Sequence, residues 1–169
     1  ADWRVSLCED MDVYYMNAKT FLDLAKDNAE AAKSERDPKV IMENFNQAQA
    51  KYADAADKFM KIKPTSVAYE SALSMAGSSY VQAQAIWSTG KVTGTKEDVQ
   101  AKIKDFTTKG LEAFKLYDEQ IARKPNVPDE EKEQRQKLAG AVLLARGSLL
   151  LGNREWEKAV KAALGMAPA

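Results

Sequence analysis

The stretch IMENFNQAQAKYADAADKFMKI, residues 41–62, decides the fold of this 169-residue chain, because its apolar side chains recur at alternating steps of four and three. We call such a row a seam, and its members here are Ile41, Phe45, Ala48, Tyr52, Ala55, Phe59 and Ile62. Residues at this spacing lie on one face of an α-helix, so the stretch predicts a helix that buries one stripe. Asp37 can cap its start, Pro38 suits its first turn, and Pro64 ends it.

The same spacing continues on both sides of this stretch and predicts further helices. A first helix runs from about residue 5 to Lys33, and a third carries a seam from Tyr69 to Trp87 with Thr65 or Ser66 as its cap. No segment of useful length shows the two-residue alternation of a half-buried strand. We therefore expect an all-α fold.

Two breaks divide the C-terminal half of the chain. Residues 88–95, STGKVTGT, form a loop, and Thr95 with Asp98 resembles a capping box at the start of a fourth helix. Residues 125–128, PNVP, end that helix, and the acidic residues 129–131 place negative charge at the positive end of a fifth.

A short sixth helix is expected around Trp156, after a turn at Gly152 and Asn153. Short connections between the six helices predict antiparallel pairing within one domain, residues 1–169. The three hairpins cover about residues 5–62, 66–124 and 129–165. Whether they stack in a row or close into a bundle is left open by the seams.

Composition excludes several classes of function. Lys plus Arg equals Asp plus Glu at 25 each, so no excess positive charge is available for nucleic acid or anionic lipid. The chain contains no histidine, which removes the commonest general base and the commonest zinc ligand. Cys8 is the single cysteine and is expected to be an apolar filler, with a reactive, lipidated or intermolecularly bonded thiol as alternatives. We expect no catalytic residues, no cofactor and no metal site.

The location of the protein is predicted from two features. The longest apolar runs are far too short to span a bilayer. The sequence starts Ala1-Asp2-Trp3 without a methionine, as after cleavage of a signal peptide. We expect an exported protein, in the periplasm, a lumen or the extracellular space; a cytoplasmic protein trimmed at its N-terminus is the alternative.

Helix pairs recur along the chain. A shift of 61 residues places Phe45 on Phe106 and Asp57 on Asp118. Gly77 stands three positions before Tyr80 on the third helix, and Ala113, Tyr117 and Pro125 follow at related spacing on the fourth.

In these positions the chain resembles tetratricopeptide-repeat proteins. Their helix A carries a small residue three positions before an aromatic, and their helix B carries alanine, an aromatic and a final proline. Trp156 with Ala159, and Ala55 with Phe59, repeat parts of helix B. The chain departs from the family in the hairpin 66–124, which is far longer than the usual unit of about 34 residues.

The resemblance implies an α-solenoid whose groove is lined by one face of each helix A. On the third helix these positions are Ser71, Ser74, Ser78, Val81 and Gln82. Small, uncharged residues suit a partner helix better than a charged peptide tail, which needs Lys or Arg clamps. Close packing of the first or fifth helix on this strip is the alternative.

Four aromatic residues nearer to predicted helix ends, Trp3, Tyr15, Tyr69 and Trp156, have amphipathic rings that often mark a partner surface, and we take Trp3, Tyr69 and Trp156 as candidates. We therefore expect a non-enzymatic protein-interaction or scaffold subunit of a larger assembly. The alternative is a helical-bundle domain that binds a ligand in its core, acts as a sensor, or serves as an extrinsic accessory subunit of a membrane complex.

Overall fold

The computed structural model describes residues 3–154 and 164–165, with side chains from residue 13 onward. Five α-helices and no strand occur in this part of the chain, so the all-α prediction is confirmed. They are α1 (Trp3–Ser34), α2 (Pro38–Phe59), α3 (Tyr69–Ser88), α4 (Lys96–Arg123) and α5 (Asp129–Gly152). The predicted sixth helix centres on residues 155–163, outside the described residues.

Local capping explains where α2 and α4 begin. The Asp37 side chain accepts a hydrogen bond from the Lys39 N–H at 2.9 Å, and Pro38 is the first helical residue of α2. At the start of α4, Thr95 Oγ1 accepts from the Asp98 N–H at 3.1 Å, and Asp98 Oδ2 accepts from the Thr95 N–H at 2.8 Å. The capping box predicted from the sequence is confirmed.

The start of α3 differs from the prediction. Its N-cap is Ala68, which offers no side-chain hydrogen bond, so the prediction of Thr65 or Ser66 as the cap is wrong. Ser66 Oγ instead accepts from the Ala68 N–H at 3.1 Å, and backbone bonds from Ser66 to Lys63 and from Tyr69 to Ser66 form two turns ahead of the helix. Because of these turns the helix begins only at Tyr69, and their hydrogen bonds stabilise the segment that leads into it.

Packing between the helices makes α3 the central element. Helix α2 packs along α1, α3 packs on both α2 and α4, and α5 lies mainly on α3 with a smaller contact to α4. Among the described residues, no extensive packing joins α1 to α4 or to α5. Helix α1 also has no extensive packing with α3 among the described residues, and it reaches α3 through the hydrogen bond from Tyr15 to Met75.

Two buried clusters form the core. One includes Phe59, Leu73, Phe114 and Leu149, and the other includes Phe45, Tyr52, Tyr80, Trp87 and Phe106. The seam of residues 41–62 is buried at every position except Ile41, which is partly buried, so its predicted role in the core is confirmed. The prediction that the helix continues to Pro64 is wrong, because α2 ends at Phe59 and the buried Ile62 lies in the turn after it.

Candidate binding surfaces

The face of α3 predicted to bind a partner contains residues of unequal exposure. Tyr69 and Ser74 are buried in the core; Ser71, Ser78 and Val81 are half-buried; Gln82 is exposed. Val81 also packs against the first core cluster. The side chains of α3 that a partner can reach on this face are those of Ser71, Ser78, Gln82 and Ala85, which we call the α3 strip.

Two contacts show what lies beside the α3 strip. Tyr15 of α1 donates a hydrogen bond from Oη to Met75 Sδ at 3.5 Å. Glu70 accepts from Arg135 of α5, with 2.7 Å between Oε1 and Nη2. At 100° per residue, Met75 and Glu70 lie on opposite sides of the strip. The strip is therefore the floor of a channel that has α1 on one side and α5 on the other.

The other residues predicted for a partner surface are the aromatic ones. Tyr69 is 8% exposed and belongs to the first core cluster, so its ring is part of the core and not of the accessible face. The side chain of Trp3 and the whole of Trp156 lie outside the described residues.

A second concave surface, which the sequence did not indicate, lies between α4 and α5. We call it the α4–α5 crevice; its volume is about 710 Å³. Its lining comes from the C-terminal part of α4, the loop after it, and the N-terminal and central parts of α5. The lining residues are Tyr117, Asp118, Ile121, Pro125, Asn126, Val127, Lys132, Arg135, Gln136, Ala139, Val142, Leu143 and Arg146.

The crevice exists because α4 and α5 diverge toward the loop that joins them. At the opposite end the two helices are in tight contact: a Cβ on Gly110 would lie 2.4 Å from Leu149 Cδ1. Neither of these residues lines the crevice. The helices therefore touch at Gly110, and the crevice opens about two turns further along α4, where Tyr117 and Val142 form part of its lining although each is only 3% exposed.

Ion pairs organise the charge in the crevice. Arg135 and Glu70 form a pair whose side chains are only 12% and 21% exposed. Arg146 Nη2 contacts Asp118 Oδ2 at 2.7 Å and the Phe114 carbonyl oxygen at 3.3 Å. Lys132 pairs with Asp129 one turn earlier on α5. Each cation that lines the crevice therefore has an acidic partner.

Two side chains that line the crevice each have a polar atom without a hydrogen-bond partner among the described residues. They are Tyr117 Oη and Arg135 Nε, and both are fully buried. Burial raises the pKa of Tyr117; the Glu70 carboxylate raises it further, while the Arg135 guanidinium opposes this effect. Tyr117 is therefore a neutral hydroxyl at physiological pH and can donate a hydrogen bond.

A third cavity, of about 800 Å³, lies at the far end of α4 and α5 and is lined by more polar groups. It is bordered by Trp87, residues 94–96 and Arg154.

Neither a metal centre nor a membrane span emerges from the described residues. They contain no group of three or more Cys, Asp and Glu side chains placed to hold a metal ion. No helix in this part of the chain is long and apolar enough to cross a membrane. Comparison of the sequence and structure with models of known families, curated proteins and solved structures finds no match.

Proposed function

We propose that this chain is a non-enzymatic interaction module, a tetratricopeptide-like stack of helical hairpins that receives a helix of a partner protein on the α3 strip. The observation that carries the proposal is the strip itself. A row of small or uncharged side chains lies on the central helix between α1 and α5, and none of the five described helices covers it; its members are Ser71, Ser78, Gln82 and Ala85.

The contacts between helices favour an open row over a closed bundle. In a closed up-and-down bundle the first and last helices pack together and cover the inner faces of the others. Here α1 lacks extensive packing with α5 in the described residues. Such an arrangement leaves the central helix accessible, as in repeat proteins that bind along a concave surface.

Packing between α3 and α4 supports the tetratricopeptide-like pairing. Gly77 lies directly under the ring of Phe114, where an added Cβ would be 2.2 Å from Cε1. A glycine at this position of α3 lets α4 approach closely, which is the physical role of the small residue in helix A of that family. Ala113 and Tyr117, which match helix B, are buried on the facing side of α4.

The charge around the strip favours a partner helix over a charged peptide tail. The nearest buried charges, Glu70 and Arg135, neutralise each other in one ion pair. A charged peptide tail needs Lys or Arg clamps on the channel floor, and the strip contains neither residue. Small side chains instead let a helix backbone come close, so its larger side chains fill the channel.

Site-directed photo-cross-linking in an extract of the source cells tests this function. A photoreactive residue at Gln82 should give one defined adduct with a partner protein. The same residue at Ala50, which is exposed on α2, should give no such adduct. The substitution Ser78→Arg should abolish the adduct at position 82 by filling the channel, while Ala50→Arg should leave it unchanged.

The proposal fails if position 82 gives no defined adduct, or if the adduct survives Ser78→Arg in a variant whose circular dichroism and melting temperature match the wild type. Mass spectrometry of the adduct identifies the partner. Fractionation of the same cells tests the predicted export.

A further inference from the structure

We propose that the α4–α5 crevice is a binding site for a small aliphatic monocarboxylate, whose carboxylate accepts hydrogen bonds from Tyr117 Oη and Arg135 Nε while its chain lies along the aliphatic wall. This site is separate from the α3 strip. This proposal can therefore be tested independently of the protein partner proposed above.

The unpaired groups define the chemistry of the ligand head. Arg135 Nε can only donate a hydrogen bond, and the neutral Tyr117 hydroxyl can donate one as well. Buried donors without a partner are costly, so a ligand that supplies acceptor oxygens gains more than it would at an already satisfied site. A carboxylate supplies two such oxygens in one plane and forms the stronger, charge-assisted kind of bond.

The balance of charge around the crevice favours a ligand with one negative charge over a ligand with two. The cations Lys132, Arg135 and Arg146 are matched by their partners Asp129, Glu70 and Asp118, so three positive and three negative charges surround the crevice. A phosphate dianion would meet three carboxylates without an unpaired cation to compensate. A monoanion held by two donors faces less of this repulsion.

The walls define the body of the ligand. Apart from the Tyr117 ring, the apolar lining is aliphatic: Ile121, Pro125, Val127, Ala139, Val142 and Leu143. The volume of about 710 Å³ falls within the usual range for small-molecule pockets, about 300–1,000 Å³. Each methylene of the ligand that leaves water should strengthen binding about fourfold, so affinity should rise from octanoate through decanoate to laurate.

Isothermal titration of the full chain with laurate, below its micelle concentration, tests the proposal. Saturable binding at one site is expected, with 1-dodecanol at least tenfold weaker because it lacks the charged acceptor. Tyr117→Phe should weaken laurate binding about tenfold and leave dodecanol binding unchanged. The fold should tolerate this change, since the hydroxyl has no partner to lose. Tyr14→Phe, at an exposed tyrosine on α1, is the matched control.

A second pair of variants tests the location. Ala139 is exposed at the mouth of the crevice, so Ala139→Phe should block it and abolish laurate binding without disturbing the core. Ala101→Phe, also at an exposed alanine but at the start of α4, should bind like the wild type. Absence of saturable laurate binding, equal binding of dodecanol, or laurate binding that survives both Tyr117→Phe and Ala139→Phe would each overturn the proposal.

Discussion

Replacing Gly77 by alanine should destabilise the protein, although alanine is the better helix former. The added Cβ would lie 2.2 Å and 2.3 Å from two ring carbons of Phe114, whereas carbon atoms in contact are normally about 3.5–4.0 Å apart. Phe114 is 0% exposed, so its ring has no solvent to move into. Helices α3 and α4 must therefore separate, or the ring must leave its rotamer, by more than about 1 Å.

The size of the effect follows from two opposing contributions. Overpacking a well-packed core costs about 1–3 kcal/mol, and a clash this short against a buried ring belongs at the upper end. Alanine in place of glycine inside a helix returns about 1 kcal/mol. The free energy of unfolding should therefore fall by about 2 kcal/mol, which for a chain of this length lowers the melting temperature by about 4–8 °C.

Thermal and urea unfolding of Gly77→Ala, compared with the control variant Gly140→Ala, test this prediction. Gly140 lies inside α5, and an added Cβ there meets no atom within 4 Å, so this control should gain about 1 kcal/mol from helix propensity alone. In a double-mutant cycle, Phe114→Leu should reduce the cost of Gly77→Ala by at least about 1 kcal/mol. A Gly77→Ala protein as stable as the wild type, or a cycle without coupling, would refute the argument from close packing.

Two further predictions concern buried polar side chains of α3. Tyr80 Oη donates to Asp57 Oδ1 at 2.6 Å, and burial, followed by this bond, raises the Tyr80 pKa well above its ordinary value of 10.0. The neutral hydroxyl therefore contributes stability that is lost as the pH rises above about 10. Urea midpoints should fall between pH 9 and pH 11, and they should fall less steeply in Tyr80→Phe. Gln84 donates from Nε2 to Thr107 Oγ1 at 2.7 Å and to the Leu149 carbonyl oxygen at 3.0 Å. Gln84→Leu keeps the volume and removes both hydrogen bonds, while the Leu149 carbonyl oxygen keeps its bond from the Asn153 N–H and the Thr107 hydroxyl keeps its bond to the Ile103 carbonyl oxygen. Denaturant unfolding should therefore show a loss of about 1–3 kcal/mol; an unchanged midpoint would mean that this bridge does not stabilise the packing of α4 and α5 on α3.

Local sequence signals predicted the helices well. The seam from Phe45 to Phe59 is buried at the positions that a 3.6-residue period selects, because one stripe of α2 faces both α1 and α3. Proline at position 38 and the Thr95–Asp98 box mark helix starts because each satisfies or removes free N–H groups within a few residues. The start of α3 was predicted less well because its turns depend on backbone bonds around Ser66, which leave no pattern in side-chain type.

The arrangement of the helices was harder to predict, because seams record that a stripe is buried and do not record which helix covers it. Ser74 and Ser78 are four positions apart on α3 and look equivalent in sequence, yet Ser74 is buried and Ser78 is partly open. Their difference depends on where α5 crosses α3, which is fixed by contacts between distant residues such as Glu70 and Arg135.

In the α4–α5 crevice, the single residue Tyr117 shows the same limit of prediction from the sequence. Tyr117 lies on the α4 seam, so periodicity places its ring in the core, and the ring is indeed 3% exposed. Periodicity says nothing about the hydroxyl, whose surroundings depend on the angle between α4 and α5. Because Gly110 admits Leu149 at one end while the chain must span residues 124–128 at the other, the helices separate just where Tyr117 and Arg135 meet. A bulkier residue at Gly110 would push the helices apart at their contact point and change that angle. The unpaired donors of the crevice thus follow from a glycine two turns away, and only the three-dimensional packing reveals the link.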